Sequence, residues 1–130
     1  MIALDTNLLT RLLLQDDAAQ YKRVKTLFET RQILTTPVTV MLELVWVLES
    51  RDIAPSQIAA GLTALIDLPN FKPERLDALR EALRRYKAGM GFADALHLAL
   101  SEGQQKFMTF DKAFVKQGKK LALKPEVVLA

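Results

Sequence analysis

The strongest constraint on the fold is a repeated step from a short apolar run into the signals that open a helix. Ile2-Ala3-Leu4 is an apolar run of strand length that stops at Asp5-Thr6-Asn7, a polar trio of helix-start type. A short apolar helix over 8–14 follows. Asp17-Ala-Ala-Gln20 has capping-box spacing and opens a second helix, with Tyr21, Val24, Leu27 and Phe28 on one face. Residues 32–35 form a second strand candidate. Thr36-Pro37 then reads as an N-cap followed by proline at the first helical position of an apolar helix reaching Ser50.

The same alternation continues. Ala54-Pro55-Ser56 opens a helix striped by Ile58, Leu62, Leu65 and Ile66, and an extended piece surrounds Phe71. Leu76, Leu79, Leu83 and Tyr86 stripe the next helix, whose outer face is expected to carry Arg80, Arg84, Arg85 and Lys87. Residues 87–91 form a glycine-bearing loop. A helix over 92–101, apolar nearly all round, should be buried. Residues 106–109 read as a strand and Asp111 as the start of a short helix, while 121–123 and 127–129 are weaker strand candidates. Strands alternating with helices, without repeats or a long linker, predict one α/β domain over 1–130. Its expected form is a three-layer α/β/α sandwich around a mainly parallel sheet. In such sheets ligands bind beyond the carboxyl ends of the strands, where Asp5 and Asp111 fall.

Four acids stand out against this background. Asp5 and Asp111 each follow a strand. Glu43 lies in Val38-Thr-Val-Met-Leu-Glu-Leu-Val-Trp-Val-Leu48, and Asp94 in Phe92-Ala-Asp-Ala-Leu-His-Leu-Ala-Leu100. A carboxylate in an apolar segment is costly unless it is paired or binds a metal, and no basic residue lies near Glu43 or Asp94 in sequence. Converging acids would also raise one another's pKa, and a divalent cation relieves both problems. The chain has no cysteine and one histidine, which argues against a zinc site and for a hard, oxygen-bound ion such as Mg²⁺ or Mn²⁺. Such an ion suits phosphodiester chemistry, because it neutralises charge on the phosphate and acidifies water. A net charge of +3 is a mild pointer to a polyanionic partner.

Each acid also has a plainer reading. Asp5 and Asp111 would serve as ordinary helix N-caps, Glu43 would reach solvent, and Asp94 would cap the helix that starts near Phe92. His97 reads as a core or supporting residue, Trp46 as core or interface, and the arginines at 80, 84 and 85 as a solvated helix face.

Four segments in order resemble the PIN domain, and within it the VapC toxins of toxin–antitoxin pairs. They are Leu4-Asp5-Thr6-Asn7-Leu8-Leu9 with Arg11-Leu-Leu, Leu42-Glu43-Leu-Val-Trp-Val-Leu48, Phe92-Ala-Asp94-Ala-Leu-His-Leu-Ala, and Thr109-Phe-Asp111-Lys-Ala-Phe114. Each motif is weak alone; their order and coverage of nearly the whole chain make the resemblance specific. It implies Mg²⁺- or Mn²⁺-dependent cleavage of RNA, a cognate antitoxin that blocks the acidic pocket, and a homodimer. Asp5 and Asp94 match the principal metal ligands, Glu43 the third acid and Asp111 the fourth, with Thr6 and Asn7 supporting Asp5. Many relatives carry a further Asp where this chain has Gly91, a difference expected to alter local charge rather than activity.

Rival readings remain. A haloacid-dehalogenase-type phosphatase needs a second carboxylate two residues after the first, where Asn7 stands. A response-regulator receiver needs a phosphorylatable Asp near mid-chain, and Asp52 is poorly placed for that role. A degenerate PIN domain acting as an RNA-binding or interaction module is disfavoured by the presence of all four acids. The N-terminus has no basic stretch of secretory type, no apolar segment is long enough to span a membrane, and the absence of cysteine fits the cytoplasm as the expected location.

Overall fold

A computed structural model describes all 130 residues. The chain divides into two compact units, residues 1–77 and 78–130, and the boundary falls within one helix.

The first unit begins with β1 (Ile2–Ala3), which leads through buried Leu4 into α1 (Thr6–Leu14). α2 (Ala18–Phe28) follows a turn, and β2 (Leu34–Thr35) then pairs parallel to β1, with Ile2 opposite Leu34 and Ala3 opposite Thr35. Backbone bonds from Ile2 N to Ile33 O (2.9 Å) and from Leu4 N to Thr35 O (2.8 Å) fix that register. On the other side of β2, Phe71 makes a parallel bridge to Leu34. There Leu34 N donates to Asn70 O at 2.8 Å and Lys72 N to Leu34 O at 2.7 Å. The extended piece around Phe71 therefore joins β2 by a single bridge without forming a strand of its own. Asn70 Nδ2 holds the preceding loop by donating to the carbonyls of Phe28, Thr30 and Gln32.

α3 (Val38–Ser50) and α4 (Pro55–Ile66) complete the packing of this unit. Leu9 of α1, Met41, Leu44 and Val45 of α3, and Ile58 and Leu62 of α4 are fully buried or nearly so. Pro55 stands at the start of α4 as expected, where its missing N–H costs nothing. Thr36 departs from expectation: the N-cap of α3 is Pro37, without a side-chain cap. The Thr36 hydroxyl instead donates to Leu4 O at 2.7 Å, clamping the exit of β1 to that of β2. The capping box at Asp17 is half made. Asp17 accepts from Gln20 N at 3.0 Å, but the Gln20 side chain turns to Arg11 Nε at 2.7 Å. Asp16 ties α1 to the end of α3 by accepting from Arg11 and Arg51, and the Arg51 hydrogen bond leads the causes that hold its carboxyl below the usual range.

The second unit contains most of α5 (Leu76–Lys87), then α6 (Phe92–Leu100), β3 (Lys106–Thr109), α7 (Lys112–Lys120) and β4 (Glu126–Leu129). β3 and β4 pair in parallel from Lys106–Glu126 to Thr109–Leu129, and α7 packs on both strands as the crossover. Gly118 is needed there: a Cβ would sit 3.0 Å from Val127 Cγ2. The candidate strand at 121–123 is instead the unwinding end of α7. Leu123 N donates back to Gly118 O at 2.9 Å and Ala122 takes a left-handed φ of 52°, so helix closure overrides the local β preference. Arg85 is not on the outer face of α5. It is buried, and its Nε donates to Glu81 Oε1 at 3.0 Å, an oxygen that Arg84 also reaches. In both units helices alternate with parallel strands, as the sequence predicts, and no helix is long and apolar enough to cross a membrane.

Candidate active site

Asp5 and Asp111 occupy equivalent positions in their units. Each lies just past the carboxyl end of a strand and is the N-cap of the helix that follows. Asp5 Oδ1 accepts from Thr6 N at 2.8 Å. Asp111 Oδ1 accepts from Ala113 N at 2.9 Å and Phe114 N at 3.3 Å, while Asp111 N donates to the Thr109 hydroxyl at 3.0 Å. The plain capping reading is therefore correct for both, and it does not compete with a chemical role. Capping engages Oδ1 and fixes the carboxylate's orientation, and Oδ2 has no hydrogen-bond partner in either residue. Thr6 is buried with its hydroxyl unpartnered, and its carbonyl accepts from Thr10 Oγ1 at 3.1 Å. Asn7 is exposed beside it.

Asp94 is the third residue of α6 and is half-buried. It is not the cap; that position is Gly91, which offers no side chain. Burial pushes the Asp94 carboxyl above its usual value, the negative charge of Asp111 adds to the shift, and His97 acts in the opposite sense. Asp94 thus feels the negative charge of Asp111 within the second unit. His97 is exposed on the same helix rather than in the core, because α6 turns Ala93 and His97 to solvent while Phe92, Ala95, Leu96, Leu98 and Ala99 are buried.

Glu43 is exposed, which corrects the expectation of a carboxylate enclosed by apolar residues. α3 buries Met41, Leu44, Val45 and Leu48 on one side and presents Thr39, Glu43 and Trp46 on the other. Trp46 is 68% exposed and so is not a core residue. Asp5 and Glu43 belong to the first unit, Asp94 and Asp111 to the second. Within neither unit do three acids or histidines gather closely enough to form a complete metal site.

The raised Asp94 value sets a pH dependence. A raised carboxyl pKa means that the folded protein holds this proton more firmly than the unfolded chain. Asp94 therefore costs nothing below its ordinary value of 3.8 and costs stability once it ionises in the fold. The melting temperature of the native protein should fall relative to that of Asp94→Asn as pH rises through the window just above 3.8. Thermal unfolding followed by circular dichroism across pH tests this. A constant difference between the two proteins would contradict it.

The family model of the PIN domain matches residues 2–120, and the chain belongs to the PIN-domain family. Among solved structures it is similar to Mycobacterium tuberculosis VapC20, a sarcin-ricin loop cleaving toxin. That match has 22% identity and a TM-score of 0.42, and it covers 91% of this chain and 95% of the other. A search of curated proteins finds no match.

Proposed function

We propose that this PIN domain is a divalent-metal-dependent ribonuclease and the toxin of a VapC-type toxin–antitoxin pair. The observations that carry the reading are the PIN-domain family match over residues 2–120 and the placing of Asp5 and Asp111, each just past a strand and capping a helix through Oδ1 alone. The family match runs across both units, which supports reading residues 1–130 as one catalytic domain. Asp5, Glu43, Asp94 and Asp111 are the proposed catalytic acids.

The proposed ligands are all carboxylates, the donor type of Mg²⁺ and Mn²⁺, and Asp94 sits where burial first and the charge of Asp111 second disfavour its ionised form, a cost that a cation would offset. Asp5 and Asp94 would be the principal ligands, with Glu43 and Asp111 completing the set. When bound, the ion supplies charge neutralisation at the scissile phosphate and acidifies the attacking water. The chain's own residues set the geometry. Thr6 N and the paired amides of Ala113 and Phe114 lock the Asp5 and Asp111 carboxylates, so that Oδ2 of each is presented without reorganisation. Glu43, which is exposed on α3, or Asp111 would orient the attacking water. Thr6 and Asn7 are positioning residues for Asp5. A cognate antitoxin covers the acids in the resting state, the protein acts in the cytoplasm where its RNA lies, and the working form is a homodimer.

Purified, antitoxin-free protein incubated with total cellular RNA tests the reading. Discrete fragments should appear with Mg²⁺ or Mn²⁺ and be suppressed by EDTA. RNA that stays intact with folded, metal-supplied protein, or is merely bound regardless of metal, would favour a non-catalytic RNA-binding module.

A further inference from the structure

Positive charge is concentrated in the second unit. Residues 78–130 hold ten Lys and Arg against five Asp and Glu, a balance of +5, whereas residues 1–77 carry −2. Much of the excess lies on α7, which has four lysines and no acid. Phe114 and Gly118 face inward, Gly118 against Val127 of β4, while Lys112, Lys116, Lys119 and Lys120 are all exposed and form no ion pair.

Helix energetics alone disfavour this arrangement. Lys112 is the first helical residue, where the macrodipole is positive and a cation is unfavourable. Lys112, Lys116 and Lys120 follow one another at four-residue spacing, so like charges stack along one face. Only Lys119 and Lys120, in the last turn, suit the dipole. A polyanion lying along the helix reverses the sign of these costs. At the head of the row stands Phe110, 85% exposed, immediately before Asp111. The neighbouring aromatics Phe107 and Phe114 pack on each other at 5.4 Å, whereas Phe110, in the bend just past β3, is exposed.

We propose that Phe110 and the lysine row of α7 form the track for a single RNA strand, a base stacking on Phe110 and the phosphates following Lys112, Lys116, Lys119 and Lys120. The row spans about 12 Å of helix and begins beside Asp111, so the strand runs outward from the acids. A basic track joined to an exposed aromatic is the general means of holding unpaired nucleic acid, because every base offers a face to stack while lysines contact only the backbone. This assignment rests on the ribonuclease reading and makes Phe110 a positioning residue, with no part in the chemistry.

The test is binding of a fluorescent, unstructured oligoribonucleotide in EDTA, followed by anisotropy across salt concentrations, with cleavage kinetics in Mn²⁺ alongside. The triple variant Lys112→Gln, Lys116→Gln, Lys120→Gln should reduce the slope of log K against log salt by about 2, at roughly 0.7 per phosphate contact. It should raise KM with little change in kcat, and its melting temperature should not fall. Phe110→Ala should weaken binding about tenfold with the slope unchanged, Phe110→Trp should restore it, and binding of a blunt RNA duplex should be insensitive to residue 110. An unchanged salt slope and KM in the triple variant would overturn the track, even if the native protein cleaves RNA. Variants that bind RNA normally but lose an acidic protein partner would overturn it in favour of a protein-docking face. Failure of the native protein to cleave with metal would sink the ribonuclease reading, and the salt slope would still decide whether α7 holds an RNA strand.

Discussion

Asp94→Asn should give a folded protein whose RNA cleavage is reduced by about three orders of magnitude or more. The substitution keeps shape and removes charge, at a position whose charge the fold opposes through burial and through Asp111. With Asp94 a metal ligand, as proposed, its loss removes several kcal/mol of electrostatic stabilisation of the transition state. Single-turnover cleavage of a defined RNA, beside a circular dichroism spectrum and melting curve, checks both halves. Cleavage within about tenfold of native would show that Asp94 does not carry the chemistry. Asp111→Asn belongs in the same experiment. Asparagine caps a helix as well as aspartate does, so α7 should remain intact and any loss of activity reports on charge alone.

The second large effect is structural. Phe71→Ala should destabilise the protein by about 3–5 kcal/mol, the usual cost of emptying a large aromatic site in a core. Phe71 is 0% exposed, its ring lies 5.8 Å from that of Phe28, and its backbone bridges Leu34, itself fully buried. The backbone bonds on either side of Leu34 involve Asn70 and Lys72 and would survive, so the loss is a cavity beneath β2 rather than a broken ladder. Against a total stability of about 5–15 kcal/mol this is a large fraction, and the melting temperature should drop by about 10–20 °C. Phe110→Ala is the internal control: the same deletion at an 85% exposed site should leave the melting temperature nearly unchanged. Equal effects at the two positions would contradict the burial assigned to each.

Much of this was legible in the residues. A short, mainly apolar run stopping at a helix-capping acid, Ile2-Ala3-Leu4 before Asp5 and Phe107-Met-Thr-Phe110 before Asp111, announces both the strand end and the cap. The stripe Ile58, Leu62, Leu65 and Ile66 gave the buried face of α4 for a similar reason, since period and burial coincide there. The errors share one cause. In α3, α6 and α5 the composition suggested which helices are buried, but which side of each helix is buried depends on what packs against it. Glu43 and Trp46 lie in a segment so apolar that no exposed face stands out, yet both are exposed. Of the two readings of His97, core or supporting residue, its exposure removes the first, and Arg85, expected on the outer face, is buried with Glu81 as the partner four residues away. Thr36 looked like a cap because threonine before proline commonly is one; its bond to Leu4, across 32 residues of sequence, has no local signature. The lysine row of α7 is plain in the sequence once the helix bounds are known, because only the helix turns positions 112, 116 and 120 into neighbours.

One measurement bears most directly on the claim that these acids perform RNA cleavage: the activity of Asp5→Asn, assayed free of antitoxin with Mn²⁺ on a defined RNA. Asp5 is in the first unit and has the simplest structural role, a single cap bond to Thr6 N that asparagine can replace. The expected result is an unchanged melting temperature with cleavage as far reduced as in Asp94→Asn. Full cleavage by folded Asp5→Asn would contradict the assignment of the four acids.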